Sequence, residues 1–76
     1  MKGILGAIGW GRDDLVRRVA LFVAGEDVIE VEMVDFQETI LTLLRKEVVV
    51  RGMLTEREGE MKLLRPRELA RVDDTI

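Results

Sequence analysis

The chain has 76 residues with 12 basic and 15 acidic side chains, a net charge of −3, and no His, Cys or Tyr. Ser and Asn are absent too, so the usual general bases, nucleophiles, soft metal ligands and hydroxyl or amide donors are missing. Asp, Glu, Lys, Arg, four Thr, one Gln, one Trp and the backbone remain. This leaves almost no room for triad hydrolysis, thiol chemistry, histidine acid–base catalysis or zinc sites. The expectation is a non-enzymatic protein with no cofactor and no metal site.

This length is that of a single domain, residues 1–76. Folding at this size buries only about 60% of the surface that the unfolded chain exposes, so the core is thin. No cysteine or zinc ligand set staples it. Charged residues reach 36%, and Gln37 is the only amide side chain. That composition is thermophilic in character, since ion pairs are desolvated at lower cost when hot. Charge is unevenly spread. Residues 1–25 carry four basic and two acidic groups (+2), residues 26–44 six acidic groups only (−6), and residues 45–76 eight basic and seven acidic (+1). The apolar run from Gly3 to Gly11 is too short to span a membrane. Arg12-Asp13-Asp14 follows it without a signal-peptidase site, so a cytoplasmic location is expected.

In chain order, residues 1–11 read as a first strand or arm, punctuated by Gly3, Gly6, Gly9 and Gly11. Asp13 is a plausible N-cap for a helix over 14–24 that stops at Gly25. Leu15, Val16, Val19, Ala20, Phe22 and Val23 share one arc of that helix, which leaves Leu21 on the polar side between Arg17 and Arg18. Residues 27–34 alternate, with Ile29, Val31 and Met33 against Glu30 and Glu32, and predict a half-buried strand. Asp35 to Glu38 has the spacing of a capping box and opens a helix over 36–46. Residues 48–55 and 60–65 read as an antiparallel hairpin turning at Glu58-Gly59, with Gly59 at positive φ. Pro66 opens a short final helix over 66–72, with an edge strand as the alternative. Residues 73–76 are expected to fray. The fold class that results is α+β, a small sheet in two layers with two helices and a C-terminal hairpin.

Three constellations carry functional readings. Trp10, Leu21, Met53 and Met61 are candidate interface residues, since aromatic and Met side chains are enriched at interfaces and an open small sheet invites pairing. They support the leading expectation, a small interaction module acting on a protein partner, a second copy of the chain included. Gly9 and Gly11 with Arg12 offer a glycine-rich anion cradle before the expected helix, although Asp13 and Asp14 oppose the charge of a phosphate there. The acidic group Glu30, Glu32, Asp35 and Glu38 offers oxygen ligands to a hard cation, but the expected helix capping already accounts for Asp35 and Glu38 and no metal site is expected.

The third set is basic: Arg45, Lys46, Arg51, Lys62, Arg65 and Arg67. A helix running into a hairpin bearing these residues, Phe36 to Arg65, resembles the second half of a winged helix-turn-helix. That resemblance implies a nucleic-acid-binding regulator. The strand-like alternation of residues 27–34 departs from the pattern, which needs a helix there.

Overall fold

The computed structural model describes residues 1–25, 27–56, 58–59 and 61–72. Five strands and one short helix follow one another as β1 (Lys2–Trp10), β2 (Val16–Phe22), β3 (Val28–Val31), α1 (Gln37–Thr42), β4 (Glu47–Thr55) and β5 (Leu63–Arg71). The sheet closes on itself in the order β1-β2-β3-β5-β4. All pairings are antiparallel except β3 with β5. The molecule is therefore a mostly-β mixed barrel and not a two-helix α+β sandwich.

Two expected helices are strands. Over 16–22 the backbone is extended, so side chains alternate between the two faces of the sheet. Val19 and Leu21 enter the barrel, while Arg18, Ala20 and Phe22 share its outer face. Asp13 caps no helix: its Oδ1 accepts from the Leu15 amide and tightens the β1–β2 turn. Gly25 turns the chain between β2 and β3 at φ +70°, and Gly59 has the same φ in the β4–β5 connection, as its turn position required. The final segment from Pro66 is the body of β5. Pro66 sits opposite Gly52, beside a bulge at Arg51/Gly52.

The expected helix over 36–46 shrinks to six residues, Gln37–Thr42. Its N-cap residue is Phe36, with no side-chain cap, so the box from Asp35 to Glu38 does not form. Ile40 is the buried residue of this helix and joins the barrel core of Leu5, Val19, Leu21, Val31, Val48 and Val50. Arg45 at φ +69° then reverses the chain, and its amide donates to the Leu5 carbonyl (2.7 Å) to deliver β4 beside β1. The strand expected over 27–34 is β3, though shorter, and that over 48–55 is β4. The barrel replaces the winged-helix arrangement, and its closure removes most of the open edges expected of a small sheet. The expected fraying of 73–76 lies outside the described residues. Among the described residues, no helix is long and apolar enough to cross a membrane.

Candidate functional site: the outer face of β1, β2 and β3

Strand register brings three apolar side chains into one row. Ile4 pairs with Phe22, and Phe22 with Val28, so the row crosses β1, β2 and β3 on the solvent side. They are 49%, 42% and 37% exposed, respectively. The next row is Gly6, Ala20 and Glu30. Gly6 lacks a side chain, and the Phe22 ring lies over it. A Cβ at Gly6 would stand 2.7 Å from Phe22 Cε2. Gly9 is covered likewise by the Arg18 side chain, whose Cβ, Cγ and Cδ lie 3.1–3.3 Å from where a Gly9 Cβ would be. An aromatic side chain laid across a strand glycine shields backbone that would otherwise be bare. Beside the row, a depression of about 330 Å³ is bounded by Lys2, Ile4, Phe22, Val23, Ala24 and Glu47.

The charges around this face are matched in pairs. Arg18 forms a two-pronged contact to Glu30, through Nε to Oε2 (3.0 Å) and a terminal nitrogen to Oε1 (2.8 Å). Arg65 Nε donates to Glu32 Oε2 (2.7 Å), and this bond, reinforced by the Glu32 charge, raises the Arg65 pKa above its ordinary value. Arg17 meets Asp13 (2.8 Å), Lys62 stands 3.7 Å from Glu56 and 3.9 Å from Asp27, and Lys2 stands 3.9 Å from Glu47. With a carboxylate beside each of these five cations, the face has little net positive potential to offer a phosphate.

The residues singled out from sequence distribute as follows. Leu21 is fully buried in β2 and unavailable to a partner, because the strand period turns it inward. Trp10 closes β1 opposite Val16 and is 60% exposed. Met53 is exposed on β4 and pairs with Arg65 on β5. Met61 precedes β5. Of the basic set, Arg51 and Arg67 line one shallow groove with Gly52, Met53 and Glu68. Arg45 and Lys46 sit in the turn after α1, while Lys62 and Arg65 lie at the start of β5 beside their carboxylates.

The glycine-rich segment precedes a hairpin turn and no helix. The Gly11 amide already donates to the Leu15 carbonyl (2.9 Å), and the Gly9 backbone lies beneath Arg18. Arg12 is exposed in that turn. Among the described residues, no three acidic side chains converge as metal ligands.

Ile4, Phe22 and Val28 escaped the sequence reading, which placed Phe22 in the core of a helix. A strand reading of 16–22 would have put Phe22 on the face with Arg18. No family model, curated protein or solved structure matches the chain.

Proposed function

We propose that the protein is a non-catalytic interaction module that holds an apolar segment of a protein partner against the outer face of β1–β3. The observation behind this reading is the in-register row of Ile4, Phe22 and Val28, left open beside the ion pairs Arg18–Glu30 and Lys2–Glu47. Clustered exposed apolar side chains mark contact surfaces more often than isolated ones do. The row offers roughly 200 Å² of apolar surface, or about 5 kcal/mol if wholly covered. Association itself costs about 4–15 kcal/mol, so this row supports a transient partner unless the rim adds contacts.

Photo-crosslinking in the source cells tests the reading. A crosslinking residue at position 4 or 28 is expected to give a discrete protein adduct that Phe22→Ser removes while far-UV circular dichroism stays native. The same adduct from position 68, on the β4–β5 face, or no adduct at all, would refute it.

A second reading has one specific observation in its favour. Five strands closing in the order 1-2-3-5-4 resemble the oligonucleotide/oligosaccharide-binding barrels, which use the face of their second and third strands for ligands. Phe22 stands on that face and could stack a base. Such likeness concerns architecture alone, and the paired charges weigh against a polyanion. Fluorescence anisotropy with single-stranded DNA and RNA is expected to show no binding at physiological salt. Salt-dependent binding lost in Phe22→Ala would install the nucleic-acid reading in place of the first.

A further inference from the structure

Barrel closure uses only the first half of β4. Its β1 side is paired through Glu47, Val48 and Val49. The Met1 ammonium then donates to the Val50 carbonyl, and the Val50 amide to the Met1 carbonyl, both at 2.7 Å. Beyond Val50 that side of β4 has no backbone partner among the described residues, whereas the other side stays paired with β5 as far as Thr55 and Leu63.

The alternation of the ladder fixes which groups are left over. The Val72 amide donates to the Glu47 carbonyl, so Glu47, Val49 and Arg51 point their backbone groups at β5, and Val48 and Val50 point theirs at β1. The bulge places its extra residue, Arg67, in β5 and leaves the phase of β4 intact. Opposite Gly52 is Pro66, which has no N–H to give. Opposite Leu54 is Leu64, whose carbonyl is engaged by the Glu32 amide on the β3 side. The N–H and C=O of Gly52 and Leu54 therefore face outward, away from β5. The segment Arg51–Glu56 is exposed throughout, with Met53 at 56% and Leu54 at 40%.

We propose that this edge pairs with its own counterpart in a second copy, antiparallel and with a two-fold axis at Met53. Three features select that occupant. With Met53 on the axis, Gly52 of one chain lies opposite Leu54 of the other, so outward donors meet outward acceptors in the correct phase. In this register Arg51 lies opposite Thr55 and Glu56 opposite Val50, so no like charges face one another, whereas in-register parallel pairing would stack Arg51 on Arg51 and Glu56 on Glu56. The edge also carries neither Pro nor Lys between Gly52 and Thr55, the devices by which an edge strand is normally shielded. Gly52 adds no side chain to the seam, and Met53 adapts its flexible thioether to its own copy.

Sedimentation velocity on the full chain over a hundredfold concentration range tests this. Wild type is expected to move toward dimer as concentration rises. Met53→Lys and Met53→Glu should each weaken association by at least about tenfold, because each sets like charges across the axis. An equimolar mixture of the two should recover it. Thermal unfolding at low concentration should be unaltered in both, since the side chain is exposed in the monomer. A wild type that stays monomeric throughout, or charge variants that associate as wild type does, overturns the proposal. Phe22→Ser should leave dimerisation intact. If Phe22→Ser abolishes it while Met53→Lys does not, the copies meet through the β1–β3 face and the edge pairing fails.

Discussion

Leu21→Ala is expected to lower the unfolding free energy by about 2–5 kcal/mol, the range for truncating a buried leucine in a core that cannot collapse around the gap. Leu21 is fully enclosed between Leu5, its cross-strand partner on β1, and Ile29 on β3. A chain of this length holds about 4–11 kcal/mol in total. The loss is therefore about a fifth of the stability or more, and the melting temperature should drop by about 8–40 °C. Helical geometry over 14–24 would instead leave Leu21 in solvent, where the same change costs less than about 0.5 kcal/mol. Chemical denaturation of the two proteins separates these outcomes. A near-neutral Leu21→Ala would contradict the strand.

The second large effect is steric. A Cβ placed on Gly52 would run into the carbonyl oxygen of Arg65 and crowd the Pro66 backbone, where β4 and β5 press together beside the bulge. Backbone atoms of a paired strand cannot swing aside as a side chain can. Gly52→Ala should cost about 2–4 kcal/mol, the upper range for overpacking, and shift the register from residue 52 onward. Gly25→Ala is the matched control. That position has φ +70° with open space around it, so its cost is the left-handed backbone alone, about 1–2 kcal/mol. Denaturant midpoints should rank wild type, then Gly25→Ala, then Gly52→Ala. The reverse order would mean that the strands are not in close contact at Gly52.

These residues also explain how much of the architecture was legible. Alternation of Ile29 and Val31 against Glu30 and Glu32 marked the strand expected over 27–34, which is β3, and the strand expected over 48–55, which opens on Val48-Val49-Val50, is β4. The segment 16–22 misled because apolar residues stand on both of its faces. Ala20 and Phe22 are apolar yet outward, which Gly6 permits by giving up its own side chain beneath Phe22. Six positions then fit a helical arc by coincidence. The telling misfit was Leu21, stranded between two arginines on the helix wheel, which an extended backbone buries. In β5 the bulge at Arg67-Glu68 breaks the period of two, so Leu64, Pro66 and Leu69 no longer alternate simply and imitate a helix opened by proline. Of the candidate surface, Trp10 and Met53 were visible from residue type alone. The row of Ile4, Phe22 and Val28 was not, because it exists only through register between three strands.

The bonds between Met1 and Val50 join residues 49 apart in sequence, and the β3–β5 seam joins Glu30 to Leu63 and Val31 to Leu64 across a shorter but still long loop. Neither can form until a large part of the polypeptide has been gathered, so loop-closure entropy falls due before either rewards it. The meander of the first three strands can assemble early and locally, whereas the last step latches both seams together. Refolding should thus run in milliseconds to seconds, slower than a helical bundle of this length, with its barrier set by topology more than by stability.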